Sequence, residues 1–203
     1  MNVHTPALET PATEHRRRLI EGMALALAEK GYADSTIADV VRAAGVSRRT
    51  FYEHFASRAE CLVALYEASS RNVLQVLRDA IDTTQPWPLQ VERALGAYFD
   101  AMAANPLLMR TLFIEILGLG TEGLAARRRV YRDIADFMLQ VINCGGPESR
   151  SGGILLSPQM AMAVVGGINE LVLQSIEEGR EALLAELVPP AATLVRAVAG
   201  SAR

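Results

Sequence analysis

The sequence has few of the residues that hold metals or staple small folds. Its two cysteines, Cys61 and Cys144, and its three histidines, His4, His15 and His54, fall into no CxxC or Cys/His spacing. That excludes a zinc cage and a disulfide framework. No nucleophile is paired with a base either, so no catalytic residue is assigned, and neither a metal nor a cofactor is expected. Lysine is nearly absent: Lys30 stands alone beside nineteen arginines, and the formal net charge is −3. Without a global basic excess, any nucleic-acid partner must be met by a local patch. Long hydrophobic runs are also missing. The N-terminus has no apolar core of the secretory kind, and the apolar stretch Met160 to Leu173 is interrupted by Gly166, Gly167, Asn169 and Glu170 and is too short to span a bilayer. The expectation is a soluble cytoplasmic protein that engages no membrane.

What is present is a foldable balance: 203 residues, 50% hydrophobic and 21% charged, enough for one domain or two small ones. Residues 1–12 carry Pro6 and Pro11 without periodicity and read as a flexible arm. From Thr13 the pairs Leu19/Ile20, Met23/Ala24 and Leu27/Ala28 recur at helical steps up to Gly31. Ser35 and Thr36 can cap a short helix, Ile37 to Ala43. Gly45 ends it, and Ser47 can cap a third, Arg48 to Phe55. Ser57 then caps a fourth helix with an apolar stripe from Leu62 to Ile81.

Gln85-Pro86-Trp87-Pro88 breaks the pattern. Helical segments follow at 89–104, 107–117, 122–143, 158–179 and 181–187, with a loop at 144–153. Pro189-Pro190 is read as an interruption before a last short helix, 191–199. No period-two run of β-branched residues marks a strand. The fold class is all-α, about nine helices, divided into residues 13–60 and residues 61–203.

The segment from Ser35 to Arg58 carries the chemistry. Two short helices joined by a tight turn at Ala44-Gly45-Val46 have the helix-turn-helix layout, whose second helix lies in the DNA major groove. Gly45 can adopt the positive φ that such a turn demands. Ile37, Val40, Val41, Val46 and Phe51 are the apolar positions that lock the pair to the first helix. On the second helix Arg48, Arg49, Thr50, Tyr52 and His54 remain, mostly donors. From Arg42 to Arg58 four arginines face one acid, Glu53. That is a local excess suited to phosphates and bases. A packed helical protein without nucleic acid could use the same helix, glycine and helix.

Ala28-Glu29-Lys30-Gly31-Tyr32, Thr36, Ala43-Ala44-Gly45-Val46-Ser47, Thr50-Phe51-Tyr52-Glu53-His54-Phe55 and Ser57-Arg58 together resemble the tetracycline-repressor (TetR) family of one-component bacterial regulators. The resemblance covers about residues 13–66. It implies an N-terminal three-helix DNA-binding domain and a C-terminal ligand-binding and dimerisation domain. It further implies a homodimer on a palindromic operator in double-stranded DNA, released by a small-molecule effector. By position it implies that Thr36, Tyr52 and His54 hold phosphates and that Arg48, Arg49 and Thr50, next to the capping Ser47, face base edges. Arg58 would meet backbone phosphate together with the amides at the start of the fourth helix. Val41 stands where the family commonly has Ala, which suggests a wider crossing of the first two helices.

Arg16-Arg17-Arg18 could follow the DNA backbone, enter a minor groove, or form a solvated helix start. Arg127-Arg128-Arg129 reads as a wet face. In the C-terminal half, Tyr98, Met102, Met109, Phe113, Tyr131, Met138 and Asn169 can line a pocket for an apolar ligand, because Met and aromatic side chains adapt to such ligands. Most such side chains are core by default. Glu115 needs a partner if buried, Arg110 being the nearest candidate. The apolar faces of 157–179 and 181–199 exceed what one small domain covers and read as a two-fold helical interface between two copies. The rival readings are an all-α small-molecule carrier and a protein-interaction module that does not read DNA.

Overall fold

Nine α-helices account for most of the described chain, residues 11–144 and 155–200 of this computed structural model. No strand occurs among them. Two compact units divide at Leu65 and Tyr66.

The first unit begins with α1, Pro11–Asp34, which is interrupted at Gly31 (φ 72°) where the sequence places a stop. The expected arm lies outside the described residues except Pro11 and Ala12, and these already start α1. Proline suits a first turn because the N–H it lacks has no helical acceptor there. Leu19, Met23, Ala26 and Leu27 are buried, while Ala28 is exposed, so the inward stripe is narrower than the paired pattern suggested. α2, Ile37–Ala44, packs on α1. The two helices approach most closely at Gly22, where a Cβ would stand 2.6 Å from the Val40 carbonyl oxygen and 2.9 Å from Ala44 Cβ. The glycine and alanine at the crossing set its distance. α3, Arg48–His54, and the start of α4, Arg58–Ala80, complete this unit. Its core holds Leu19, Met23, Leu27, Val40, Phe51, Phe55 and Leu62, all essentially without solvent exposure.

Cys61 is buried in the same core, its Sγ 3.8 Å from the Leu19 carbonyl. Burial pushes its thiol up to about 12. A thiolate is the reactive form, so in a Cys144→Ser background Cys61 is expected to ignore a thiol-specific chromogenic reagent at neutral pH until denaturant is added. Rapid native labelling would contradict this.

The second unit contains the rest of α4 with α5, Trp87–Ala103, α6, Pro106–Gly118, α7, Gly120–Cys144, α8, Pro158–Glu177, and α9, Val188–Gly200. Pro88, Pro106 and Pro158 all sit in first turns. Pro189 and Pro190 do the same in α9, which corrects the reading of that pair as an interruption. Residues Glu181–Leu187 form a 3₁₀ helix. The 144–153 loop lies outside the described residues apart from Cys144, at the end of α7. α5 packs on α9 and α7 on α8, around a core that includes Phe99, Val164, Val172, Ile176 and Leu184. By length and composition Glu181–Ala199 is apolar enough to cross a membrane, with mean hydropathy 1.5, and only 28% of it is buried.

Candidate nucleic-acid interface and ligand cavities

In the first unit, α2 is fixed at both ends by local chemistry. The Thr36 hydroxyl accepts from the Asp39 amide at 3.2 Å, while the Thr36 amide donates to the Asp39 carboxylate at 3.0 Å, a reciprocal capping box. The Thr36 hydroxyl also donates to Asp39 at 2.7 Å, so its proton is already committed. Asp39 is buried and further accepts from Lys30 Nζ at 2.8 Å and Arg42 at 3.0 Å. The Lys30 ammonium, followed by the Thr36 hydroxyl and amide, holds the Asp39 carboxyl well below the usual carboxylate range. Asp39 was not singled out in the sequence, although Thr36-Ile37-Ala38-Asp39 carries the spacing of a capping box. At the other end Gly45 has φ 62°, and its carbonyl accepts from Arg18 at 2.9 Å. A side chain at 45 would suffer both the left-handed backbone and a contact of 2.6 Å with Arg18.

Ser47 opens α3 by accepting from the Thr50 amide at 3.0 Å. Phe51 is the only fully buried residue of this helix and packs 5.8 Å from Phe55, ring to ring. That inward anchor turns Arg48, Arg49, Tyr52 and Glu53 outward. Tyr52 is 53% exposed with its ring edge against Phe51, and the Arg49 side chain is 90% exposed and pairs with Glu53 at 3.1 Å. Arg48 has no ion-pair partner among the described residues. His54 is half-buried, its ring 6.4 Å from that of His15.

Several arginines that the sequence left open have internal partners. Arg16 lies over the Phe55 ring at 5.1 Å, Arg17 forks onto Glu14 and reaches Glu21, and Arg18 holds the turn. Arg58 stacks on Tyr32 at 4.0 Å and donates to the Tyr32 and Ser35 carbonyls. The start of α4 has its own capping box: the Glu60 amide donates to the Ser57 hydroxyl, and the Ala56 amide donates to the Glu60 carboxylate. Arg58 therefore points inward and clasps the segment before α2.

Three cavities of the second unit, which share Asn169, measure about 90, 40 and 10 Å³, and a separate polar groove of about 490 Å³ lies beside Arg71, Arg78, Asp133 and Asp136. Asn169 borders all three. Tyr98 and Ile134 border the first two, and Tyr66 and Phe113 the last two. Met138 lines the first, Met102 and Met109 the second, and Tyr131 the third, so every residue the sequence placed at a pocket borders one of them. Trp87 and Phe137 line the first, and Arg127 the third. Burial pushes the Tyr66 and Tyr98 phenols up. Asn169 Nδ2 donates to the Val165 carbonyl at 2.9 Å. Arg127 was read as part of a wet face. The missed signal is Tyr131 four residues on, whose hydroxyl accepts from Arg127 at 2.8 Å. Arg110 pairs with Glu181 at 3.1 Å and not with Glu115, because positions five apart diverge around a helix. No cluster of His, Cys, Asp or Glu that could hold a metal occurs among the described residues.

Residues 20–65 match the family described as "Bacterial regulatory proteins, tetR family". The HTH-type transcriptional activator FasR of Mycolicibacterium smegmatis is 26% identical over 103 residues, covering 51% of this chain and 47% of the relative. The chain thus matches about half the length of that curated relative. The Bacillus subtilis transcriptional regulator FadR, solved in complex with stearoyl-CoA, aligns with TM-score 0.68 and 18% identity over 91% of this chain and 98% of its own. SmeT, the repressor of the Stenotrophomonas maltophilia multidrug efflux pump SmeDEF, aligns with TM-score 0.66 and 18% identity over 90% and 88%. At these identities the solved structures establish the shared fold.

Proposed function

We propose that this chain, whose residues 20–65 match the tetR family of bacterial regulatory proteins, is a ligand-responsive transcriptional repressor of that family, working as a cytoplasmic homodimer on a palindromic operator. The observation that carries the reading is the outward face of α3. Arg48, Arg49, Thr50 and Tyr52 project there from a helix whose only inward side chain is Phe51. Arginine in that position suits guanine O6 and N7, and Tyr52 and His54 suit phosphate. Thr36 and Arg58 position α2 and the segment before it, and Arg58, which engages a single guanidinium nitrogen within the unit, keeps donors for backbone phosphate.

The proposed dimer uses 157–179 and 181–199. Its support is apolar exposure: Met160 at 46%, Leu183 at 48%, and Gly166 with nothing near its missing Cβ. A second copy covers such a face, and a two-fold sets two α3 helices about 34–36 Å apart, one turn of DNA. The small molecule occupies the cavities of the second unit, and α4, continuous from Arg58 to Ala80, transmits its arrival. Reciprocity then requires that DNA weaken ligand binding by the same factor.

The experiment is selection of bound duplexes from a random-sequence pool at near-physiological salt, with Tyr52→Ala in parallel. The expected result is an inverted repeat that the variant fails to enrich. Arg48→Ala is expected to reduce affinity for that repeat by about 1–3 kcal/mol and relax its sequence preference. Absence of enrichment at every salt tried would favour a carrier or interaction module instead.

A further inference from the structure

The three cavities that share Asn169 run from Arg127 to a largely apolar end, where the Phe137 ring lies under Arg78 at 5.6 Å, and that order specifies a ligand class. At one end is Arg127. Its neighbour Arg129 pairs with Glu67 at 2.7 Å, and Arg128 is exposed to solvent. Arg127 is half-buried over the Tyr131 ring at 4.7 Å and has no carboxylate partner among the described residues. A guanidinium carries five donors. One of them reaches the Tyr131 hydroxyl, and a half-buried cation with spare donors is stabilised by an anion. Glu170 lies near enough to act on Tyr131 electrostatically, but it is exposed and makes no ion pair with Arg127.

The middle cavity adds hydrogen-bonding groups that nothing in the chain uses. Ser70 Oγ is buried without a partner, and the Tyr66 and Tyr98 hydroxyls border the same space with no partner among the described residues. A buried polar group left unpaired is costly, and Ser70 Oγ is one, on the same cavity as the two tyrosines and Asn169, whose amide nitrogen alone is engaged. Beyond Ile134 the walls become apolar, ending at Trp87 and Phe137.

Size sets the other limit. The most apolar of the three cavities is about 90 Å³, and a dry apolar cavity of about 150 Å³ is known to admit benzene. The joined spaces of about 90 and 40 Å³ fall just short of that, so an apolar body of one aromatic ring or a short chain enters as the walls give. Methionines 102, 109 and 138 can shift to ease entry.

We propose that the ligand is a small amphipathic monoanion, a medium-chain or aryl-alkyl carboxylate, held with its carboxylate on Arg127, its polar neighbours on Ser70 and the two tyrosines, and its tail against Trp87. This rests on the reading of the second unit as the effector site and narrows it to one class. It differs from the long acyl chain named with the FadR neighbour.

Trp87 is the only tryptophan in the chain and walls the apolar end, so its emission reports the tail directly. Full-length protein is titrated with octanoate, 1-octanol and palmitate, with calorimetry alongside. Octanoate is expected to shift Trp87 emission saturably and to bind at least tenfold more tightly than 1-octanol. Arg127→Gln, checked for unchanged far-UV ellipticity, is expected to remove that preference and leave 1-octanol within twofold. Arg127→Lys, which keeps the charge, is expected to bind octanoate with intermediate strength. Equal binding of octanoate and 1-octanol, unaffected by either variant, would overturn the anion assignment while leaving an effector cavity in place. Palmitate binding without octanoate binding would overturn the size limit. No response to any of the three, by emission or heat, would overturn both this proposal and the effector site.

Discussion

Phe51→Ala is expected to unfold the first unit while the second keeps its own transition. Phe51 has no solvent exposure, and truncating a fully buried phenylalanine costs about 3–5 kcal/mol. The seven residues of α3 are far too few to hold a helix unaided, since isolated helices shorter than about 12–15 residues are marginal in water. Its geometry therefore depends on side chains that reach the core, and within the helix Phe51 is the only one. Without it Tyr52 loses the ring it leans on and Phe55 loses a neighbour. Denaturant titration followed by far-UV ellipticity should resolve an early transition for the variant, with specific DNA binding abolished well before the midpoint of the second. A variant that melts with the parent and still selects the same duplex would mean that α3 is held otherwise, and the assignment of its outer face would fall with that.

The contrast between Phe51 and Tyr52 shows why the helix-turn-helix could be read from the sequence. A buried residue followed by an exposed amphipathic one, after a glycine that needs φ 62° and a serine that caps, is a local pattern. Each of these features acts within a few residues of itself. Asp39 was equally local and was passed over, because an aspartate in an arginine-rich stretch looks like surface charge until Lys30, nine residues earlier, is seen to reach it. The internal hold on Arg58 is not local. Its partners, Tyr32 and Ser35, lie more than twenty residues away, and no periodicity reports which carbonyls a guanidinium will find. The cavities lie between these cases. Helical spacing showed that Tyr98, Met138 and Asn169 point inward, but whether inward-facing atoms touch or leave a void is decided by volumes summed across α4, α5, α7 and α8. The glycines at helix crossings were invisible for the same reason, since Gly22 and Gly123 look like weak helix residues until the neighbouring backbone is placed beside them.

Gly123 supplies the second large effect. A Cβ built there would lie 1.8 Å from the Ile116 carbonyl oxygen and 3.0 Å from Leu119 Cβ. The near atom is backbone, and the Leu119 amide donates to the same carbonyl as α6 ends. No rotamer change can relieve the overlap, so α6 and α7 must separate. Overpacked side chains typically cost about 1–3 kcal/mol when neighbours can yield. Gly123→Ala should sit at or above the top of that range, lowering the melting midpoint of the second unit and weakening octanoate through Phe113 and Arg127, which line the cavity between these helices. Gly166→Ala is the control, since its Cβ would meet nothing within 4 Å inside one chain. Replacing a helix-interior glycine by alanine is worth roughly 0.5–1 kcal/mol of stability, so that variant should melt no earlier than the parent. Any loss it shows must then appear in the concentration dependence of sedimentation, where a second copy packed on α8 would feel the added methyl. If Gly123→Ala melts with the parent, the close approach of α6 and α7 is wrong, and the Arg127 end of the cavity has to be redrawn.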